Sequence, residues 1–305
     1  MKKSIALILA IALCLGLAAC ASSAPAAAPA GTAPAATEAP ATAATAAPEA
    51  TQAPTAAPAK ETFKVGMECN YAPFNWTQQN QTDSAVPLEG GGYADGYDVQ
   101  MAKLIADALG RELVVVKTEW DGLIPALQSG KIDAIIAGMS PTAERKQAID
   151  FTVPYYESEL VIVVKKDGPY AAATSLKDFD GAKIVAQLNT FHDTVVDQIP
   201  GVKHQTPMDT FPAMIVALNS GKVDGYVSER PGAVSAVAAN SNLTFVKFAD
   251  GQGFQTSPED VQISVGLVKG SDLLDPINKT LAGISQEQRN QMMDTAVAGQ
   301  PLSNG

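Results

Sequence analysis

A nine-residue stretch, Ala126-Leu127-Gln128-Ser129-Gly130-Lys131-Ile132-Asp133-Ala134, returns without a gap as Ala217-Leu218-Asn219-Ser220-Gly221-Lys222-Val223-Asp224-Gly225. Each copy reads as the end of a helix, a glycine in the left-handed cap, and the start of a strand. Helix–glycine–strand turns also look alike in unrelated chains, so the repeat has a bland explanation. Its sharper one is two lobes of similar architecture. The first copy continues as Ile135-Ile136-Ala137-Gly138, apolar nearly throughout. Such a strand is covered on both faces, as in a parallel sheet.

The neighbouring sequence alternates in the same way. Phe63 to Cys69 reads as a strand, followed by a polar loop rich in Gln, Asn, Asp and Gly. Gly90-Gly91-Gly92 lies in that loop and does not follow a strand, so it is no phosphate cradle. Gly96 precedes a helix with Val99, Met101, Leu104, Ile105, Ala108 and Leu109 on one face, and Gly110 ends it. Glu112 to Thr118 is a strand and Gly122 to Ser129 a short helix. The class is α/β. In open α/β sheets, ligands bind beyond the carboxyl ends of strands. The two repeat strands run into Gly138-Met139-Ser140 and Ser228-Glu229-Arg230. If two lobes face each other, these segments confront one another across a cleft.

The first sixty residues stand apart. Lys2 and Lys3, the apolar run Ile5 to Leu17 and small Ala18-Ala19 form an export signal, residues 1–19. Leu17-Ala18-Ala19-Cys20 resembles the lipobox of bacterial lipoproteins, in which the mature chain begins at the cysteine and its thiol carries diacylglycerol. Residues 21–60 contain no Leu, Ile, Val or aromatic residue, and seven prolines from Pro25 to Pro58 interrupt every candidate helix. Residues 20–60 therefore read as a lipid-anchored, disordered tether. In polyproline II form its reach is at most roughly 120 Å, at ~3.1 Å per residue. Cys14 lies in the discarded signal and Cys20 is the anchor, so Cys69 has no disulfide partner and is expected to be a packed hydrophobe. The net charge of −11 excludes a nucleic-acid partner, because nothing would neutralise phosphates.

Several residues are suited to holding a small zwitterion. Ser140 followed by Pro141 is a helix start, where free N–H groups favour an anion. Arg145 adds a fork of donors matched to a carboxylate, although it also fits a surface Glu-Arg-Lys turn. Glu229 offers the opposite charge from the other lobe. Tyr71 and Trp120 follow the first and second strands, where their rings would sandwich a side chain, unless they simply pack in the core. Glu68 ends the first strand at the cleft edge. Enzymatic motifs are poor: His192 and His204 lack metal-ligand spacing, and there is no GxSxG or P-loop. No catalytic residue, metal or cofactor is assigned.

Gly96-Tyr97-Asp98-Val99-Gln100-Met101, and the longer block from Ala137 to Lys146 followed by Ile149-Asp150-Phe151 and Pro154-Tyr155-Tyr156, resemble the family 3 extracellular solute-binding proteins, receptors of polar amino-acid ABC transporters. The resemblance covers residues 61–300. It implies a type II periplasmic-binding-protein-like fold with two hinge strands. Lobe one would take 61–160 and 262–300, and lobe two 161–261. The residue matching Arg145 would hold the ligand carboxylate, helped by backbone and hydroxyl groups matching Gly138 and Ser140, and Met139 between them would line the site. Glu229 would hold the ammonium, and Tyr71 and Trp120 would flank the side chain. Gln187-Leu188-Asn189-Thr190-Phe191 matches the second-lobe loop, with Thr190 toward the carboxylate; family members often have glycine where Asn189 stands, and asparagine tolerates the left-handed conformation. An acid matching Glu68 meets the far end of a polar or basic side chain, which favours lysine, arginine, ornithine or histidine, while glutamine receptors also carry an acid there. The expected partners are a free amino acid, a membrane permease and the lipid bilayer, for a monomeric protein on the extracytoplasmic side. The loop from Asn75 to Asp95 is long enough to reshape the pocket. Cyclohexadienyl dehydratases resemble the same fold and supply the rival reading, with Glu68 or Glu229 as general acid.

Overall fold

The computed structural model describes residues 60–301. The signal segment 1–19, the Cys20 anchor and all but the last residue of the tether lie outside the described residues. The described chain builds two five-stranded sheets. The first runs in the order Glu112–Lys117, Thr62–Met67, Ala134–Ile135, Gly266–Leu267, Asp150–Phe151. Its first three strands are parallel and the last two pair antiparallel. The second runs Lys203–His204, Lys183–Val185, Gly225–Glu229, Leu160–Lys165, Leu243–Val246. Between them, Tyr156–Glu157 pairs antiparallel with Gln262–Ile263 as two crossing hinge strands. This is the two-lobed type II arrangement, with helices on the sheet faces.

The sequence repeat is also a repeat of hydrogen bonds. In the first copy Lys131 N–H donates to the Ala126 carbonyl and Gly130 N–H to Leu127; in the second, Lys222 donates to Ala217 and Gly221 to Leu218. Gly130 and Gly221 have φ of 73° and 76°, the left-handed cap that side chains resist. Asp133 accepts from Lys64 N–H at 2.8 Å, and Asp224 accepts from Lys183 N–H at 2.8 Å. Each aspartate thus ties its own strand to the leading strand of its sheet. Only Ala134–Ile135 of the expected Ile132–Gly138 strand is regular, yet Ile132 to Ala137 is buried apart from half-buried Asp133, as a doubly covered strand requires.

Two expectations change. Residues 70–95 are not a loop. They form a four-stranded antiparallel sheet in the order Asn70–Tyr71, Asn75–Gln78, Tyr93–Asp95, Val86–Pro87, and Gly90 to Gly92 make its tight turn at positive φ. Polar composition hid it because one side of this sheet faces water. The helix Tyr97–Leu109 ends at Gly110 as expected, but its buried face carries Ala102 and Ala106 rather than Leu104 and Ala108, and Leu104 is exposed. Asp98, buried in its first turn, accepts from the Tyr155 hydroxyl and the Asn75 amide at 2.7 Å each. Asn75 in turn accepts from Cys69 N–H at 2.7 Å, fixing the chain where Cys69 takes a φ of 57°. Burial pushes the Cys69 thiol up to about 12, so it is a packed hydrophobe with no thiolate at neutral pH.

Candidate functional site

The carboxyl ends of both repeat strands meet at the cleft between the sheets. One cavity there is lined by Tyr71, Trp120, Gly138, Ser140, Arg145, Gln187, Thr190, Phe191, His192 and Phe211. Eight of the eleven ligand-binding residues expected from sequence are among these ten.

Arg145 spans the cleft. Its Nη1 donates to the Ser140 carbonyl at 3.1 Å and its Nη2 to the Asn189 carbonyl, from the opposite lobe, at 3.3 Å. The guanidinium lies over the Trp120 ring, 5.1 Å from its centre, where the ring's negative face attracts a cation. Burial lowers Arg145 to about 10, partly offset by Glu144, Glu229 and Asp260, so it stays charged at neutral pH. Asn189 does adopt the left-handed conformation, with φ 56°. That geometry turns its carbonyl to Arg145 and Trp120 while its amide donates to Asp121 at 2.9 Å.

The helix expected at Ser140-Pro141 does not form there. Its helical residues are Arg145–Ala148 only, and the Ser140 carbonyl is taken by Thr142 N–H and the Arg145 side chain. With one helical turn and no free end at Ser140, a helix dipole contributes little; the positive charge at this end of the cleft is Arg145 itself.

Glu68 and Gln187 meet across the cleft. Gln187 Nε2 lies 3.2 and 3.4 Å from the two Glu68 oxygens and donates to the Asp209 carbonyl at 3.0 Å. Burial raises Glu68 to about 7; the Gln187 hydrogen bond opposes this, while Glu119 and Asp121 add to it. Thr190 donates to the Gln187 carbonyl at 2.7 Å, which rigidifies the loop.

Tyr71 departs most from expectation. Its ring stacks on Phe211, with centroids 4.1 Å apart and planes 9° from parallel, and not on anything held against Trp120. Its hydroxyl donates to Glu229. Both contacts cross from lobe one to lobe two. The ring fits because Gly138 and Gly232 have no side chain: a Cβ on either would lie 3.1 Å from a Tyr71 ring carbon. Gly138 N–H is already committed to the Tyr155 hydroxyl at 3.3 Å, so the expected backbone help from Gly138 N–H is spoken for. Met139 is a correction too. It packs with Leu123, Ile135 and Ile149 in the lobe-one core and reaches only the outer groove.

His192 and Phe211 were not singled out from sequence. His192 Nε2 sits 3.0 Å from Glu229 Oε1, both side chains buried. Its only signal was adjacency to Phe191. Phe211 opens a helix behind an N-capping Thr210 and ahead of Pro212, a start signal readable in the sequence.

The residual cavity is about 10 Å³, scarcely room for one water molecule at ~10–15 Å³. An open groove of about 750 Å³ adjoins it, lined by Trp120, Arg145, Asn189 and Phe191 and by the acids Asp121, Glu144, Asp193 and Asp260. The groove has the volume of a small-molecule site, roughly 300–1,000 Å³. The inner site is closed on itself by Tyr71, Phe211 and Asn189.

The sequence profile of the bacterial extracellular solute-binding proteins, family 3, matches residues 63–295. A probable histidine-binding protein of Campylobacter jejuni is 33% identical over 238 residues, 77% of this chain and 83% of that protein. The ABC transporter arginine-binding protein 1 of Escherichia coli is 28% identical over 76% of this chain and 88% of its own. Among solved structures, an amino acid ABC transporter substrate-binding protein of Streptococcus pneumoniae bound to L-arginine superposes with a TM-score of 0.67. It is 27% identical and the match covers 78% of this chain and 94% of that one.

Proposed function

The chain belongs to the bacterial extracellular solute-binding proteins, family 3, and on that premise we propose that its cleft captures a cationic L-amino acid for an ABC importer. The observation that carries this reading is the pair of opposite charges, Arg145 from one lobe and Glu229 from the other, brought to one cleft. An amino acid presents the complementary pair. Arg145 takes the α-carboxylate beside Ser140, and Glu229 takes the ammonium once Tyr71 swings from it. The Tyr71 ring then flanks the ligand, and Trp120 backs the guanidinium of Arg145. Glu68, with Gln187, receives the far end of the side chain. The relatives named for histidine and arginine support a basic side chain. A lobe closing over the ligand excludes water and strengthens each charge contact.

The extracytoplasmic setting follows the family. The lipid on Cys20 and the Ala/Pro/Thr tether add confinement near a permease, which raises the effective concentration of the docking partners.

Glu68 supplies a test of the cationic preference. A ligand cation beside it favours its charged form and lowers its midpoint from about 7. Binding of L-arginine at pH 7 therefore releases up to about half a proton, and affinity rises as pH passes upward through 7. Calorimetry in two buffers of different ionisation enthalpy, run on the wild type and on Glu68→Gln, isolates the Glu68 contribution. L-Glutamine releases none from Glu68. A Glu68→Gln variant that keeps full affinity for L-arginine contradicts the assignment.

A carboxyl near 7 in a cleft is also what a general acid requires, and this favours the dehydratase as a second reading. Incubation with arogenate and prephenate distinguishes the two: no turnover is expected, and turnover overturns the receptor reading.

A further inference from the structure

His192 is the second residue of the short helix Phe191–Val196 on the lobe-two side of the cleft. It is 4% exposed and lines the inner cavity. Its Nε2 stands 3.0 Å from Glu229 Oε1 without the alignment of a hydrogen bond, and among the described residues Nδ1 has no hydrogen-bonding partner. Buried polar atoms are nearly always paired, so an imidazole whose Nδ1 has no partner beside a binding cavity calls for an explanation in ligand terms. Core packing alone does not need histidine here, between the rings of Phe191 and Phe211.

The groups facing this imidazole come from several elements. Glu229 ends the strand Gly225–Glu229, and the Tyr71 hydroxyl shares its carboxylate. Arg145 lines the same cavity from lobe one, and Glu68 lies behind Gln187. Asp98 is near enough to act on Glu229. Asp193, the next residue in the helix, is engaged by His204 at 2.8 Å. Burial works against the Glu229 charge, but His192 and the Tyr71 hydroxyl hold it below the ordinary carboxylate range.

We propose that His192 competes with the ligand's ammonium group for Glu229, so that capture is proton-linked: each proton gained by the imidazole costs affinity for the amino acid. This rests on the reading of the cleft given above. One buried carboxylate satisfies one cation well. A neutral imidazole leaves Glu229 to the ammonium, whereas an imidazolium pairs with it and repels the incoming charge. The coupling is reciprocal, so a ligand on Glu229 must shift the imidazole's titration by the same factor that protonation shifts the ligand's affinity.

The test uses the full chain and L-arginine. Affinity is measured between about pH 8 and 5.5 for the wild type and for His192→Gln, with His192→Asn as a second neutral side chain should glutamine disturb the fold. The wild type is expected to lose at least about tenfold more affinity across that range than either variant. Glu68 titrates in all three and cancels from the comparison. In parallel, the imidazole C–H resonance of His192, assigned by its absence in His192→Gln, is followed with pH. Its midpoint is expected to fall in Glu229→Gln and on saturation with L-arginine. Parallel affinity profiles, or a midpoint indifferent to Glu229→Gln, overturn the proposal and leave the receptor reading standing. Failure of every amino acid to bind at any pH overturns the receptor reading and this inference together.

Discussion

Replacing Arg145 by alanine is expected to weaken the binding of every amino acid alike, by about thirtyfold to several thousandfold. That range follows from the ~2–5 kcal/mol cost of truncating one partner of a buried charge pair. The uniformity is the informative part. All amino acids share the α-carboxylate, so a residue that holds it cannot discriminate among side chains. Arg145 also straps the lobes together through the Ser140 and Asn189 carbonyls. The alanine variant is therefore expected to lose some closure as well as the proposed carboxylate contact. Arg145→Lys keeps the charge but not the planar fork, and should fall between the two. Competition binding with a set of chemically diverse amino acids reads the effect. A loss confined to one ligand would place Arg145 at the side chain instead.

Gly96→Ala should cost the fold about 3–5 kcal/mol, as steric conflict adds to backbone strain. Gly96 has φ 127° and ψ −178°, a region essentially closed to side chains. A Cβ there would lie 2.4 Å from the Phe74 carbonyl oxygen and 2.8 Å from its carbon, both backbone atoms that cannot swing aside. The position also sets the site. Gly96 delivers the helix whose first turn carries Asp98, and Asp98 orders Tyr155 and Asn75. Through Asn75 it orders the Cys69 turn between Glu68 and Tyr71. Gly299→Ala is the control. Among the described residues nothing lies within 4 Å of its Cβ position at the end of the last helix, and it should be neutral or slightly stabilising. Urea denaturation of both variants checks the pair; a Gly96→Ala protein within about 1 kcal/mol of wild type would contradict the argument.

The fold was legible because its signals are local. Gly110, Gly130 and Gly221 each occupy the left-handed cap that their spacing predicts, and the paired nonapeptides share their capping hydrogen bonds and the tie from Asp133 or Asp224 to the leading strand. The cleft was legible for the same reason: its residues sit at the ends of recognisable strands. What stayed hidden is tertiary. That Tyr71 stacks on Phe211 depends on how two lobes close, and no spacing within either segment encodes it. Metal-ligand spacing says nothing about His192, whose neighbour in space, Glu229, lies 37 residues away in sequence. The 70–95 sheet escaped because strands with one wet face and short lengths lack an apolar run. Spacing puts Leu104 on the core face, yet Ala102 and Ala106 are buried there and Leu104 is exposed.

A thermal-stability panel of the twenty amino acids, ornithine and cystine tests the central claim most directly. A ligand at 100 times its Kd should add about 2.7 kcal/mol of stability. One or more basic amino acids are expected to stabilise the protein, and the shift is expected to vanish in Arg145→Ala. Absence of any shift across the whole panel would contradict the claim.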